Sequence, residues 1–364
     1  MSSCSERQDA TTAGAPYPER MSGRASTPLI DPFDRRVKDL RISITDRCNF
    51  RCAYCMPAEG MQWLPREELL TYKEIARVAV VCVDRFGFEA IRLTGGEPLV
   101  RAHVTRLVQL LAPLEVDLAM TTNGVRLPEL AHELVAAGLQ RINVSLDTLR
   151  RDRFVALTKR DELERVLAGI DAARDAGLAP IKVNAVVMRG INDDEVVELA
   201  RFGRDNGVGV RFIEFMPLDA QGEWTAEKVV PAHEILERIH AVFPLERAGT
   251  ERTDHGEHVE PAERFIYSDG FGDVGVIASV TEPFCDNCDR VRLTAEGEFR
   301  TCLFALHETD LRAELRAGSG LDETDLDDRL AAAIEAAVAT KWAGHRIGQV
   351  DFVRPARSMS QIGG

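Results

Sequence analysis

From about residue 38 to 217 the sequence alternates short β-branched runs with longer amphipathic stretches, six times over. Runs at 40–44, 90–93, 117–121, 141–144, 182–187 and 211–215 read as strands. Stretches at 72–86, 103–111, 128–137, 163–176 and 194–206 repeat apolar residues with the period of a helix. Strands separated by helices pair in parallel, and each crossover is right-handed. A closed eight-stranded barrel takes about 250 residues, more than this section offers. An α/β fold is therefore predicted, either a partial (β/α)6 barrel or an open sheet. Asp46 to Cys55, Gly95-Gly96-Glu97-Pro98, Thr122-Asn123-Gly124, Ser145-Leu146-Asp147 and Met216-Pro217 all follow strands, which puts them on the rim where parallel folds bind ligands.

Three segments are predicted. Residues 1–34 are rich in Ser, Thr, Ala, Gly, Pro and Arg without apolar periodicity and read as a disordered arm. Residues 35–225 hold the barrel. After residue 217 the rhythm changes: a variable stretch runs to about 263, then short strand-like runs at 274–278 and 291–293, then an acidic helix around 322–338. Residues 226–364 thus read as a C-terminal α+β extension, too small to hold itself by apolar burial, for which a metal would act as a staple.

Composition narrows the class. An apolar content of 45% with 29% charged residues is that of a water-soluble protein, and no apolar run approaches the ~18 residues of a membrane span. No basic segment followed by an apolar core opens the chain, so a cytoplasmic protein with no membrane partner is expected. A net charge of −14 argues against a nucleic-acid partner. It leaves room for a phosphorylated small molecule, since a few arginines in a pocket suffice. Of eight cysteines, six fall into two triplets and only Cys4 and Cys82 stand alone. That distribution reads as metal binding rather than cross-linking.

Cys48, Cys52 and Cys55 are spaced C-x3-C-x2-C. Three thiolates on one loop can grip three irons of a [4Fe–4S] cluster and leave the fourth open to a ligand. The competing reading is zinc, which takes four protein ligands in structural sites and commonly a His in catalytic ones; no His lies between residues 31 and 100. In Gly95-Gly96-Glu97-Pro98 the glycines let the backbone approach a ligand, and the carboxylate can accept from an ammonium group. The second triplet is Cys285, Cys288 and Cys302. Its spacing, with His307 close behind, leaves zinc and iron–sulfur equally open. Arg290 and Arg292 alternate about Val291, so a strand would present both guanidiniums on one face, apt for a multiply charged anion. Arg41, Arg92 and Lys182 lie on other predicted strands and could join them around a triphosphate.

The first triplet resembles the signature of the radical S-adenosylmethionine (SAM) superfamily, and Gly95 to Pro98 resembles its motif for the amino group of SAM. The second triplet, its interleaved arginines and the terminal Gly363-Gly364 resemble one family within it, the GTP 3′,8-cyclases of molybdenum cofactor biosynthesis, over about residue 35 to the end. The resemblance implies a TIM-like partial barrel of the radical SAM type with an auxiliary-cluster extension. It implies that Cys48, Cys52 and Cys55 hold a [4Fe–4S] cluster, with Tyr54, Gly96, Ser145 and Met216 at SAM. Arg41, Arg92, Thr121, Lys182, Arg290, Val291 and Arg292 would contact GTP, and Cys285, Cys288 and Cys302 would hold a second [4Fe–4S] cluster, tipping His307 away from zinc. Gly363 and Gly364 would set the substrate against the radical.

The implied activity is a lyase reaction. A 5′-deoxyadenosyl radical takes hydrogen from C3′ of GTP, the carbon radical closes on guanine C8, and one-electron reduction with proton transfer gives (8S)-3′,8-cyclo-7,8-dihydroguanosine 5′-triphosphate. Joining these carbons breaks an unactivated C–H bond, which no side-chain acid or base does at neutral pH. Partners implied are GTP, an electron donor of unidentified kind and the next enzyme of the pathway, with a homodimer left open. The alternative is a radical SAM enzyme with an auxiliary cluster that modifies a peptide or protein; such a substrate has no need of converging cations. A non-catalytic zinc or iron–sulfur scaffold is the reading from another class, which metal analysis separates.

Overall fold

A computed structural model of the chain describes residues 26–57, 59–219, 221–249, 252–253, 256–257, 261–317 and 322–363. Most of the predicted arm, with Cys4, lies outside the described residues, as does Gly364. The end of that arm forms structure before the predicted boundary at 35: β1 (Leu29–Ile30) pairs antiparallel with β2 (Arg36–Val37). Asp31 makes the turn between them, its Oδ1 accepting from the main-chain N–H of Phe33 at 2.9 Å and of Arg35 at 3.1 Å. An Asx turn of this kind needs no apolar periodicity, which is why the composition concealed it.

The six predicted strands form as β3 (Asp39–Ser43), β4 (Ala90–Thr94), β5 (Asp117–Thr122), β6 (Arg141–Ser145), β7 (Ile181–Val187) and β8 (Gly209–Glu214). Each pairs in parallel with the next. Period 2 divides their side chains. In β3, Leu40 and Ile42 are fully buried in the apolar cluster, while Asp39 and Arg41 face the lumen. The covering helices are α1 (Tyr72–Phe86), α2 (Val104–Leu111), α3 (Leu127–Ala136), α4 (Arg151–Thr158), α5 (Leu163–Asp175) and α6 (Val196–Asn206). Their ends follow local rules: α1 begins in a Thr71/Glu74 capping box and stops at Gly87 in the left-handed region. Sequence periodicity missed α4, which buries little beyond Phe154, Leu157 and Thr158.

The C-terminal half is not a separate appendage. After α7 (Ala232–His240) come β9 (Leu245–Arg247), β10 (Arg252–Thr253), β11 (Gly256–Glu257), β12 (Glu263–Tyr267), β13 (Asp273–Ile277), β14 (Arg290–Leu293), β15 (Glu298–Arg300) and β16 (Thr309–Asp310). α8 (Leu311–Ala317), α9 (Glu323–Val338) and α10 (Met359–Ile362) complete the described elements. β13 adds in parallel to β8 and β14 in parallel to β3, so both flanks of the six-stranded unit are built from C-terminal sequence. The result is one twelve-stranded sheet, β16-β15-β14-β3-β4-β5-β6-β7-β8-β13-β12-β9, antiparallel only toward its ends and not closed into a barrel. Val274, Val291, Leu293, Phe299 and Leu330 share one apolar cluster with Leu40 and Ile42. Apolar burial thus joins the two halves. Among the described residues no helix is long and apolar enough to cross a membrane.

Glu214, 1% exposed at the end of β8, ties the two halves together. Its carboxylate accepts from Ala232 N at 3.0 Å, from Val280 N and Thr281 N at 2.8 Å each, and from the Thr281 hydroxyl at 2.5 Å. Glu214→Gln keeps the shape but turns an NH2 group toward N–H donors. A buried donor left unsatisfied costs about 1–3 kcal/mol, so the urea midpoint of the variant should fall accordingly. An unchanged midpoint would show that this junction does not limit stability.

Candidate functional site

The lumen is an open chamber running from the loops at the strand ends down to the middle of the strands, deeper than the rim alone. At its mouth Cys48, Cys52 and Cys55 lie on the loop after β3. Three neighbours shape that loop. Gly96 N–H donates to Thr45 O at 2.7 Å and Glu97 N–H to Arg47 O at 2.8 Å. A Cβ on Gly96 would collide with the carbonyl oxygens of Arg47 and Asp46, so only glycine permits this approach. The last carbonyls of α4 take up the loop's amides, Arg51 N–H to Thr158 O at 2.9 Å and Ala53 N–H to Leu157 O at 3.0 Å. Finally, the Tyr54 hydroxyl donates to Asp147 Oδ2 at 2.6 Å, anchoring the loop to the end of β6.

Burial pushes the Cys48 and Cys55 thiols up to about 12, with Glu97 adding to it at Cys48 and Cys48 at Cys55, and raises Cys52 well above the ordinary value. Three buried thiols that resist ionising one by one suit a centre that supplies positive charge when they deprotonate together. The main-chain N–H of Phe50 already donates to Cys48 Sγ at 3.4 Å. The donor set is all sulfur, with an open side toward the chamber. It fits an iron–sulfur cluster with one free iron better than a mononuclear zinc site, which would draw in a fourth ligand.

Glu97 is spoken for in part: its Oε1 accepts from Thr122 Oγ1 at 2.7 Å and Leu99 N at 2.9 Å, and its Oε2 from Asn123 N at 2.6 Å. Burial raises it to about 7. Its structural work is to lock the turn after β4 to the end of β5. Ser145, Met216, Tyr54 and Gly96 all line the mouth, and Thr121 and Lys182 line the wall below.

Strand register builds the floor. Arg41 pairs with Arg92 on one side and with Arg292 on the other, so three arginines sit side by side on β4, β3 and β14. One step deeper, Arg290 pairs with Asp39. All of these line the chamber. Burial and then Arg290 hold the Arg41 guanidinium well below its usual range; Asp39 opposes them, and Arg92 and Arg292 add smaller effects in the lowering direction. Burial and Arg290 lower Arg292 to about 10. Arg41 Nε and Ser43 Oγ are buried without a hydrogen-bond partner. Such a floor calls for a ligand of several negative charges. Val291 turns the other way, fully buried in the apolar core, so it can offer a ligand only its main chain.

Beside the floor lie Cys285, Cys288 and Cys302, half-buried. Burial opposes ionisation of Cys288, yet Arg290 and Lys341 bring its thiol below the ordinary value. Phe304 N–H donates to Cys302 Sγ at 3.4 Å, the contact that Phe50 makes to Cys48. His307 is exposed at the surface. The tail enters between the two triplets. Ser360 eases ionisation of the Cys55 thiol against the effect of burial, Ile362 packs with Leu218, Phe304 and Cys302, and Arg292 donates to the Gly363 carbonyl. Gly363 has φ 72°, and a Cβ there would lie 2.5 Å from Ser43 Oγ and 2.6 Å from Thr94 Cγ2. It therefore sits one step above the arginine row. Asp39, Asn143, Asn184 and Arg211, to which the sequence alone assigns no role, also line the chamber. Their alternation with buried residues along the strands was the available signal.

Known proteins resemble this chain. The Radical SAM superfamily matches residues 42–203, and the family Molybdenum Cofactor Synthesis C matches residues 208–347. A relative from Streptomyces coelicolor, named GTP 3′,8-cyclase, is 49% identical over 338 residues, covering 92% of this chain and 96% of its own length. One of the same name from Mycobacterium marinum is 46% identical over 93% of this chain and 92% of its own. The crystal structure of Streptococcus suis SuiB bound to S-adenosylmethionine superposes on 85% of this chain and 68% of its own, with a TM-score of 0.56 at 15% identity, a likeness of fold.

The Gly96 contact generates a test. Gly96→Ala should push the cysteine loop off the turn after β4 while leaving the sheet intact. Far-UV circular dichroism should match wild type, and SAM affinity after anaerobic reconstitution should fall by tenfold or more. Wild-type affinity would mean the loop can move aside.

Proposed function

This chain belongs to the GTP 3′,8-cyclase family of the radical SAM superfamily, and we propose that its lumen holds GTP with the triphosphate on the arginine row and the ribose turned toward SAM at the mouth. The family's cofactors are SAM and two [4Fe–4S] clusters. Cys48, Cys52 and Cys55 would hold the cluster that serves SAM, and Cys285, Cys288 and Cys302 the auxiliary one. Held there, the first cluster with SAM would supply the means to take a hydrogen atom from C3′ of GTP, and one further electron with a proton would complete the bond from C3′ to C8.

The observation that carries the substrate reading is the row Arg92, Arg41, Arg292 with Arg290 beneath it, four guanidiniums beside the carboxylates Asp39 and Asp289. A peptide would leave that charge uncompensated, whereas a triphosphate neutralises it through paired guanidinium contacts. Thr121 on β5, the strand next to β4, and Lys182 on β7 line the same chamber and suit the remaining polar groups of the nucleotide. Tyr54, Gly96, Ser145 and Met216 would frame SAM. Gly363, between the arginine row and the turn at Gly95 and Gly96, would act with Gly364 to hold the ribose at the right height. Apolar walls and the inserted tail exclude water and oxygen from a reactive carbon radical. The low-potential electron donor and the enzyme that consumes the product are partners outside this chain, and a cytoplasmic setting keeps the clusters reduced.

Anaerobic reconstitution followed by SAM, reductant and GTP should give 5′-deoxyadenosine together with a nucleotide isomeric with GTP. SAM cleavage without such a product would contradict the reading. Arg41→Ala and Arg290→Ala should each weaken GTP binding by about 1.5–3 kcal/mol, roughly ten- to 150-fold, in equilibrium dialysis. Unchanged affinity in both would return these arginines to a structural role.

Removing Gly363 and Gly364 should separate binding from chemistry. Iron content and GTP affinity should remain within about twofold of wild type while cyclised product disappears, and a synthetic peptide of the missing tail should restore part of it. Full turnover in the truncated enzyme would show the tail to be a dispensable end.

A further inference from the structure

The second cysteine triplet has little scaffold of its own. Cys285 opens a single 3₁₀ turn, Cys285–Asn287, that lacks a side-chain cap. The segment facing it, Lys341 to Gly344, has no regular structure. Yet the two are pressed together, since a Cβ on Gly344 would lie 2.6 Å from Cys285 Cβ and 2.9 Å from its sulfur. One guanidinium joins them. Arg35 Nη1 donates to the main-chain oxygens of Cys285 at 2.6 Å and Ala343 at 2.5 Å, and Nη2 donates to Trp342 O at 2.5 Å. Its Nε donates to Asp31 Oδ2 at 2.6 Å, and the two side chains are 7% and 0% exposed. On the same segment, Lys341 Nζ donates to Arg290 O at 2.6 Å and stands 4.0 Å from Cys288 Sγ.

We propose that Arg35, held by Asp31, is a positioning residue for the auxiliary cluster: it fixes the main chain of the ligand Cys285 and of the 341–344 segment packed over that sulfur. This rests on the reading that Cys285, Cys288 and Cys302 hold a cluster. Two features separate the role from general stabilisation. A buried ion pair adds little net stability over apolar residues of the same size, so the fold alone does not call for one here. The pair is local in sequence, yet the guanidinium's contacts span 250 to 308 residues and converge on one ligand loop and the segment covering it. A planar fork can hold the Asp31 carboxylate and three carbonyls at once; an ammonium, with three donors on one atom, cannot make all four contacts. Asp31 lies in residues 1–34, where composition suggested an arm without structure, and Arg35 stands just past that boundary.

The test uses the full chain, reconstituted anaerobically, as wild type, Arg35→Met and Arg35→Lys, with iron analysis, EPR and 5′-deoxyadenosine release. Wild type should carry about eight irons. Arg35→Met should fall to about four, keep the SAM-dependent EPR change of the first cluster and its reductive SAM cleavage, and lose the second cluster's signal. Arg35→Lys should retain the second cluster only in part. About eight irons in Arg35→Met with an unaltered second signal overturns the proposal, and so does equal loss of both clusters, which marks the pair as support for the fold. If Arg35→Met does not fold, Gly344→Ala, which leaves the pair intact, should show the same selective loss; a full iron complement there overturns the proposal. About four irons in wild type would instead remove the second cluster from the reading, a failure distinct from any difference between variants.

Discussion

The parallel pairing of β14 with β3 is the constraint on which the rest depends. It sets Arg292 beside Arg41, which is already beside Arg92. Strands are spaced about 5 Å apart, and two like charges at that distance repel by roughly 3 kcal/mol at an effective dielectric constant near 20. Like charges directly opposite in a sheet are ordinarily selected against. Here Asp39 and Asp289 offset the group in part, and the charge is buried rather than dispersed into solvent. The fold tolerates this because both faces of the row are fixed by other means: Leu40, Ile42, Val291 and Leu293 are buried beneath the helices. The sheet is stable through its apolar face, which leaves its lumen face free to carry a binding charge.

The same pairing explains why the C-terminal half cannot be treated as an attachment. β14 brings the arginines and, at its start, Cys288; β15 brings Cys302 just beyond its end; Glu214 bolts the opposite flank. The tail then crosses between the cysteine loops, and a charged network holds its base. Arg357 pairs with Glu296 and Glu308, and Glu308 also pairs with Arg300, whose Nη2 donates to Ala305 O at 2.6 Å in the loop after Cys302. Displacement of that loop is thereby felt at the chain end, close to where the chemistry would occur.

Much of this was legible in the sequence, for physical reasons that differ by element. β3 to β8 alternate or run apolar over lengths that only strands bury, and α1 carries its own start and stop signals at Thr71, Glu74 and Gly87. The lumen side of Arg290 and Arg292 followed from period 2 alone. What sequence concealed was long-range. Nothing local to Val274 or Val291 announces that they join the N-terminal strands, because parallel partners carry no turn between them. α4 was missed for want of an apolar stripe, although its last carbonyls receive the amides of the first cysteine loop. Asp31 and Arg35 were missed because their partners, Trp342 and Ala343, lie near the other end of the chain.

The account's central claim is that the arginine row holds the triphosphate so that the ribose of GTP meets the radical formed at the mouth. Transfer of deuterium measures this directly, using GTP deuterated at C3′ and mass analysis of the 5′-deoxyadenosine released. The account predicts one deuterium in that product in step with formation of the cyclised nucleotide. Unlabelled 5′-deoxyadenosine alongside full nucleotide turnover, or label arriving only from GTP deuterated at another carbon, would contradict it.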